Sequence, residues 1–407
     1  MPRYNGGFIG TDGLDAPDPP TGVTASAANS GELSVAFTAP TDTGTSAITG
    51  FVAQVSTDGT DYSAGSGTGS SSPITVSSLS NGTNYTAKVW AINAYGTSAP
   101  SDASSAVAPE APQRAFWFGR TTVNVFYSNI ATTGNTTDWG YAMSYAARNS
   151  GTASSATRAV QCGYDFSTSA AGARKIEQLN LASAGAGTNF GELSVTSSQS
   201  NLGFGNSTRG ILSQGYDSSA AYTNVLEYVT IASAGDGTDF GDMTIARILG
   251  SACASTTRGV MNCGFVSGSN HSNVMDYVTI GSTGNATDFG DLSGSFNSTG
   301  SCSNSTRGII AGGDKSGVSD QMNEIQYITI ASTGNTSDFG DLTHNVRRLG
   351  AGASATRALF AGEYQSNANG INYITIGSTG NAQDFGDLTN NETDGPACAS
   401  TAHGGIS

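Results

Sequence analysis

Four copies of the tripeptide Asp-Phe-Gly are the first feature of this sequence that could do chemistry. They begin at Asp239, Asp288, Asp338 and Asp384. In protein kinases a single Asp-Phe-Gly supplies a magnesium ligand, and it works with a His-Arg-Asp segment and a strand lysine. Because a catalytic motif occurs once, whereas these copies recur at a regular interval without those companions, we interpret the Asp residues as structural.

A second recurring set consists of arginines, one at the start of a short apolar stretch in each repeat. They are Arg158, Arg209, Arg258, Arg307 and Arg357, and each follows a Thr. A guanidinium that is partly buried between repeats needs an acceptor, and an Asp-Phe-Gly carboxylate could bind it through two hydrogen bonds. We therefore expect an Arg–Asp contact between neighbouring units. In the alternative, each Arg donates to main-chain carbonyls or to solvent.

Histidines and cysteines are too few and too scattered to predict a metal centre. The three histidines, His271, His344 and His403, occupy unrelated positions of the repeats, so the converging ligands of a copper oxidase are not expected. The five cysteines form no Cys-x-x-Cys pair and are interpreted as small buried residues. Asn and Asp in the turns could bind calcium, but their spacing is not that of an EF-hand. We expect no cofactor, no metal and no catalytic residue, and calcium is left open.

Charge and hydropathy limit the partners. The formal net charge is -15, which repels phosphate backbones and anionic lipid, so neither nucleic acid nor membrane is an expected partner. No apolar run approaches the roughly 18 residues of a membrane span, and the first twenty residues lack the apolar centre of a signal peptide. Export by a standard signal is therefore not encoded.

The elements that must position these residues begin after a short N-terminal peptide, residues 1–16. It is rich in Gly, Asp and Pro and without hydrophobic period, yet it contains Tyr4, Phe8 and Ile9. Such a segment is either disordered or a peptide that becomes ordered when it docks on a larger assembly. The three apolar residues are the candidates for docking to a particle.

Residues 17–109 alternate short β-type segments with turn clusters, which predicts a sandwich of about seven strands. The opening PPTGVTAS, the spacing from Leu79 to Tyr85 and the run AINAYGTS resemble a fibronectin type III domain. The resemblance implies a tyrosine corner at Tyr85 and a core position at Phe37, where such domains usually carry Trp. It also implies a spacer, with binding by its loops as the alternative.

Residues 110–407 repeat an aromatic anchor every 46 to 51 residues. The anchors are Trp139, Phe190, Phe240, Phe289, Phe339 and Phe385. Each unit has four short segments between Gly-rich turns, and in the clearest unit these are TRGIIAGG, NEIQYITIAS, SDFGDLT and RRLGAGASAT. The order of a Gly-ended strand, a Tyr, an aromatic and an Arg resembles the kelch repeat. The resemblance implies an all-β chain in which a kelch-like β-propeller of about six blades follows the sandwich.

The two ends of the repeat region complement each other. The strand at Arg114 corresponds to the second strand of a blade, whereas CASTAHGG, from Cys398, corresponds to a first strand. Pairing these segments would close the ring and remove its open edges. Because His403 repeats the Arg114 position, a short tail or a seventh partial blade is the alternative.

The function predicted from these features is non-enzymatic. Units such as YVTIGSTGNATDFGDL resemble repeats in structural proteins of marine bacteriophages. This resemblance implies a tail-fibre-like or capsid-decorating protein on the virion surface, which binds other virion proteins through its N-terminal region. Contact with a host glycan or protein would use blade loops, for which the candidates are Tyr164, Tyr216, Tyr222, Asn270, Asp314 and Tyr364. A homo-oligomer is compatible with this interpretation.

Two other functions remain open from the sequence. One is a secreted or cell-surface bacterial adhesin that uses the same modules. The other is a propeller enzyme acting on polysaccharide, which would need a cluster of carboxylates in the central channel. The enzyme is disfavoured because the arginines recur symmetrically and no acid pair stands out.

Overall fold

The computed structural model describes residues 14–28, 31–109, 113–119, 123–146, 150–163, 174–194, 201–216, 221–267, 270–318, 321–362, 369–389 and 396–402. The chain divides into two compact units, residues 1–112 and 113–407. Regular structure in the described residues is entirely β, and none of them forms a helix that could cross a membrane. The expected all-β class is confirmed.

The N-terminal unit is a sandwich of two antiparallel sheets. Its strands are β1 (Thr21–Ala27), β2 (Leu33–Thr38), β3 (Ile48–Ser56), β4 (Gly65–Gly69), β5 (Ile74–Val76) and β6 (Thr86–Asn93). One sheet has the order β1-β2-β5 and the other β4-β3-β6. Alternate residues of the strands point into one shared core, as the period of two predicts.

Two sequence expectations for this core are confirmed. Phe37 is 8% exposed and packs against Phe51, with ring centroids 4.7 Å apart, so it fills the position expected for Trp. The hydroxyl of Tyr85 accepts a hydrogen bond from the Ser80 amide at 3.1 Å, which is the predicted tyrosine corner.

The predicted seventh strand is replaced by a serine ladder. Ser98, Ser101 and Ser104 lie beside β6, and each hydroxyl accepts the amide of Ala91, Val89 or Ala87 at 3.0 Å. The serines recur every third residue while their partners recur every second. Because the two periods differ, this segment follows β6 without forming a regular strand.

The repeat unit has β7 (Arg114–Phe118), β8 (Asn124–Asn129), β9 (Thr137–Ala142), β10 (Gly151–Ser154), β11 (Arg158–Cys162), β12 (Lys175–Asn180), β13 (Thr188–Glu192), β14 (Gly203–Gly205), β15 (Arg209–Ser213), β16 (Val225–Thr230), β17 (Thr238–Asp242), β18 (Ser251–Ala254) and β19 (Arg258–Asn262). It continues with β20 (Phe265–Val266), β21 (Asn270–Thr279), β22 (Thr287–Asn297), β23 (Gly300–Ser303), β24 (Arg307–Ala311), β25 (Asp314–Lys315), β26 (Met322–Thr329), β27 (Ser337–Val346), β28 (Gly350–Ala353), β29 (Arg357–Ala361), β30 (Gly370–Thr375), β31 (Gln383–Asp387) and β32 (Ala397–Ser400).

These strands form six antiparallel sheets within the described residues. Sheet 1 is β32-β7-β8-β9, sheet 2 is β10 to β13, sheet 3 is β14 to β17, sheet 5 is β23-β24-β26-β27 and sheet 6 is β28 to β31. Sheet 4 is β18-β19-β21-β22, and β20 and β25 add short pairings to it. β32 pairs with β7, and Cys398 lies opposite Trp117. This confirms the predicted pairing of the last segment of the repeat region with its first strand.

The first strands of the sheets follow one another in a closed order. β10 contacts β14, then β18, β23, β28 and β32 succeed in turn, and β32 contacts β10. The fourth strands are joined in the same order. In several sheets, an amide in the turn before the fourth strand donates a hydrogen bond to the fourth strand of the preceding sheet. Gly284 N donates to Phe240 O at 2.7 Å, and Gly134 N donates to Phe385 O at 2.7 Å, which links sheet 1 to sheet 6.

The hydrophobic core of this unit is divided among the six junctions between neighbouring sheets. One cluster fills each junction, and the one between sheets 6 and 1 contains Leu359, Ile371, Phe385, Trp117 and Phe126. Strands such as β24 are therefore buried on both faces, which explains their continuous apolar sequence.

Close contact between sheets also explains the recurring Asp-Phe-Gly. Phe240 is 1% exposed and belongs to a core, while Asp239 before it points to solvent. Gly241 lies at a bulge with φ +138°, and a Cβ there would come within 2.5 Å of the Gly284 carbonyl oxygen of the next sheet. Only Gly satisfies both the backbone conformation and the close approach.

Candidate functional site

The second strand of every sheet ends, and the third strand begins, at the same end of that sheet. Because the strands alternate in direction and the sheets follow a closed order, these strand ends share one side of the unit, which we call the loop edge. Four predicted contact residues lie on this side within the described residues. Tyr164 and Tyr364 lie outside the described residues, as do Tyr4, Phe8 and Ile9 of the N-terminal peptide.

Tyr216 and Tyr222 are brought together at the loop edge. They form an isolated β-bridge, and their rings meet edge to face with centroids 5.4 Å apart. Both are half-buried rather than fully exposed. Burial raises the pKa of Tyr216, and the neighbouring Tyr222 raises it further. The pair is a fixed aromatic feature with part of each ring accessible.

The other two candidates have different surroundings. Asn270 is exposed, and its side-chain amide donates to the Ser267 carbonyl at 3.2 Å. Asp314 is half-buried and accepts a hydrogen bond from Arg347 Nη1 at 2.6 Å, so its carboxylate is already engaged. Asn270 therefore has more freedom to meet a partner than Asp314.

A cavity of about 190 Å³ lies among the six first strands. Its wall consists mainly of Gly, Ala, Ser, Thr and Cys, and Arg348 is the charged residue on it. The wall contains neither Asp nor Glu among the described residues. The carboxylate cluster that a polysaccharide-cleaving enzyme would place there is thus not found in this cavity.

Side chains that could bind a metal do not converge in the described residues. No group of three or more His, Cys, Asp or Glu there has the geometry to hold an ion. The turn asparagines considered for calcium instead join sheets: Asn285 Oδ1 accepts the Asp242 amide at 3.1 Å, and Asn335 Oδ1 accepts the Asp291 amide at 3.0 Å. Their amide oxygens are occupied by the neighbouring backbone.

The repeated arginines reach the next sheet, but the predicted Arg–Asp contact is wrong. Each donates through Nη1 to a main-chain carbonyl near the end of the third strand of the next sheet. The pairs are Arg158 with Ile231, Arg209 with Ile280, Arg258 with Ile330, Arg307 with Ile376 and Arg357 with Ile130, at 2.7 to 3.0 Å. The Asp carboxylates lie on the face of the fourth strand opposite its buried Phe, and they are exposed in Asp239, Asp288, Asp338 and Asp384.

A tyrosine ring lies beside four of these arginines and beside Arg114 of sheet 1. The guanidinium carbon lies 4.4 to 4.8 Å from the ring centroid in Arg114–Tyr127, Arg209–Tyr228, Arg258–Tyr277, Arg307–Tyr327 and Arg357–Tyr373. Sheet 2 departs from the pattern, because Gln178 occupies the tyrosine position beside Arg158. The stack is worth about 0.5–1 kcal/mol when solvent has access to it.

Sequence reasoning missed a second set of contacts between sheets. In sheets 2 to 6, the residue before the tyrosine position is buried, and its side chain accepts a hydrogen bond from a backbone amide near the end of the fourth strand of the preceding sheet. The pairs are Glu177 with Ser144, Glu227 with Ser194, Asp276 with Thr244, Gln326 with Ser293 and Asn372 with Thr343. Asp276 also forms an ion pair with Arg247, and both side chains are fully buried.

Glu177 is the least satisfied member of this set. Its Oε1 accepts the Ser144 amide at 2.6 Å, whereas its Oε2 is buried without a hydrogen-bond partner. Burial raises the pKa of Glu177, and the Ser144 hydrogen bonds lower it less. The signal that could have found this set is a polar residue before the tyrosine position of the third strand, which sheets 2 to 6 share.

Comparison with known proteins identifies the N-terminal unit. Residues 18–107 match the family model described as fibronectin type III domain. Residues 18–107 are a fibronectin type III domain. Among solved structures, the chain is similar to domains A168–A170 of titin, with 29% identity over 24% of this chain and 33% of that chain and a TM-score of 0.22. It thus spans about a third of that structure. No curated protein matches the chain.

The fibronectin type III domain has one aromatic face. In the β4-β3-β6 sheet, Ala87, Val89 and Ala91 point into the core, so Lys88 and Trp90 point outward. Tyr62 meets Trp90 edge to face with centroids 6.4 Å apart, and Lys88 Nζ lies 4.8 Å from the Tyr62 centroid. Domains of this type are typically non-catalytic.

Proposed function

We propose that residues 113–407 form a kelch-like β-propeller of six blades, and that the chain is a non-enzymatic structural protein of a bacteriophage virion. In this proposal it is a tail-fibre-like or capsid-decorating appendage on the virion surface. The N-terminal region binds other virion proteins, and the propeller presents its loops to a glycan or protein of the host surface. The closed order of the six first strands supports the propeller assignment.

The observation that carries the function is the contrast between a repeated scaffold and varied connections on one side. The stacks of Arg on Tyr and the turns that join sheets recur with nearly the same geometry. The loop-edge connections differ from sheet to sheet in length and in residue type. A rigid frame with variable loops on one side is typical of recognition rather than catalysis.

The six-fold recurrence also disfavours an enzyme. A catalytic site needs distinct groups converging at one place, and the central cavity wall lacks a carboxylate within the described residues. The cavity is therefore assigned to the packing of six small-residue strands around a common axis.

Binding through the loop edge is tested with the labelled full chain and intact cells of the host that produces it. Tyr216→Ala combined with Tyr222→Ala removes the aromatic pair, and we expect it to reduce cell binding. Thr333→Ala is the control, because Thr333 is exposed in a turn at the other edge of the sheets. Equal loss in both variants, or no loss in the tyrosine variant, would contradict binding through this pair.

A further inference from the structure

The outward face of the β4-β3-β6 sheet carries a chemistry that the loop-edge proposal does not use. Strand register places Trp90 opposite Val52, and Lys88 opposite Gln54. On the other side of β3, Val52 pairs with Thr68. Since side chains alternate across a strand, these residues share one surface. Together with Tyr62, which meets Trp90, the surface has two aromatic rings, one ammonium group and neutral hydrogen-bonding groups.

The aromatic side chains are held in position before any partner arrives. Tyr62 and Trp90 meet at an interplanar angle of 74°, and the Tyr62 hydroxyl lies 3.3 Å from Thr86 Oγ1. Lys88 is fixed over the Tyr62 ring. Contacts of this kind lower the entropy lost on binding, because the side chains are already ordered.

Charge narrows the choice of ligand. Lys88 is the single charged residue at the outward positions of β3, β4 and β6, although the whole chain has a formal net charge of -15. One ammonium suits one carboxylate, whereas a nucleic acid needs several cations to neutralise its phosphates. The surface therefore favours a ligand with an apolar ring face, several hydroxyls and a single anionic group.

We propose that this face of the fibronectin type III domain binds a sugar ring that carries a carboxylate, as in a sialic or uronic acid. Trp90 stacks on the apolar face of the sugar ring. Tryptophan suits such a contact because its ring packs on apolar surface while its N–H stays within reach of polar groups. Lys88 pairs with the carboxylate, and Gln54 and Thr68 bind hydroxyls. The site lies on the fibronectin type III domain, so it does not depend on the propeller assignment.

Tryptophan fluorescence of the full chain reports on this site selectively. Of the three tryptophans, Trp117 is 1% and Trp139 is 9% exposed, so acrylamide quenches chiefly the half-buried Trp90. We expect sialyllactose, or the glucuronic acid disaccharide aldobiouronic acid, to protect Trp90 from quenching. The neutral counterparts lactose and xylobiose should protect it much less. If neither acidic sugar protects at millimolar concentration, or if the neutral sugars protect equally, the proposal is wrong.

Variants assign the two recognition elements, with binding followed by saturation-transfer NMR of the sugar. Trp90→Ala should weaken binding by more than roughly tenfold, as expected for a central aromatic contact. Lys88→Gln should remove the preference for the acidic sugar while leaving weak binding of both. Tyr141→Ala is the control, because Tyr141 is 48% exposed in the repeat unit. Unchanged acidic-sugar binding in Trp90→Ala, with circular dichroism unchanged, would overturn the assignment.

Discussion

Arg209 lies over the ring of Tyr228, with its guanidinium carbon 4.4 Å from the ring centroid. The same guanidinium donates to the Ile280 carbonyl of the next sheet at 2.8 Å. One side chain thus joins the second and third strands of its own sheet to the neighbouring sheet. Arg158 makes the equivalent bond, to Ile231 at 2.9 Å, but has Gln178 in place of the tyrosine.

This difference allows the stack to be measured. Arg209→Gln should destabilise the protein by about 1 kcal/mol more than Arg158→Gln, because both lose a carbonyl hydrogen bond but only the first loses a cation–π contact. Urea unfolding followed by circular dichroism gives the two free energies. Equal losses would show that the ring adds nothing to the arginine contact.

Glu177 makes stability depend on pH. Because the pKa of Glu177 is raised in the folded state, there is a pH range above the unfolded Glu pKa of about 4.3 in which the folded state still holds this proton and the unfolded state has lost it. The contribution of Glu177 to the free energy of unfolding is therefore fully present below the unfolded pKa and is lost as pH rises through the folded pKa. Glu177→Gln should raise the melting temperature at pH 7 to 8 and have little effect near pH 4.

Glu227→Gln is the matched control for this variant. Glu227 Oε1 accepts hydrogen bonds from the Ser194 hydroxyl and the Gln214 side chain, and Oε2 accepts one from the Ser194 amide, so both oxygens are used. We expect this substitution to lower the melting temperature at pH 7. A Glu177→Gln gain that stays constant from pH 4 to 8 would contradict the titration of Glu177.

The cysteines should be unreactive in the folded protein. Cys162, Cys253, Cys263 and Cys302 are buried, and Cys398 is half-buried on the cavity wall. Burial raises the pKa of each thiol, that of Cys253 to about 12, so little thiolate exists at pH 8. Ellman's reagent should detect almost no thiol before unfolding and all five in urea. Rapid reaction of one thiol in the native protein would contradict this burial.

The last strand should protect the repeat unit from association through an open edge. Removing residues 396–407 deletes β32 and leaves the edge of β7, with Phe116 and Trp117, unpaired. An unpaired apolar edge promotes association, so gel filtration should show aggregates or oligomers. Removing only residues 403–407 retains β32 and serves as the control. A monomeric, equally stable 396–407 deletion would contradict closure by this strand.

Much of the architecture was predictable because local patterns determine it. The repeat period, the four main strands of each sheet and the pairing of Cys398 with the first strand follow from spacing and composition, whereas the tyrosine corner at Tyr85 follows from the resemblance to the fibronectin type III domain. The acceptor of the arginines was not predictable in the same way, because a main-chain carbonyl leaves no mark in the sequence. The exposure of Asp239 could have been inferred, since it precedes a buried Phe240 and neighbours in a strand face opposite sides.

The contacts between sheets were harder to foresee. Glu177, Glu227, Asp276, Gln326 and Asn372 share a position and a role but differ in chemical type, so no single residue recurs. Only the packing of one sheet on the next shows that each accepts a hydrogen bond from a backbone amide of the preceding sheet. At the loop edge, the pairing of Tyr216 with Tyr222 depends on the conformation of a loop rather than on a strand period.

The most direct test of the virion proposal is immunogold electron microscopy of a native lysate, with antibody against residues 114–407. The proposal predicts gold on phage particles, at the tail for a fibre and over the capsid for a decorating protein. Gold on bare cells with none on particles would contradict it and would favour a cell-surface adhesin.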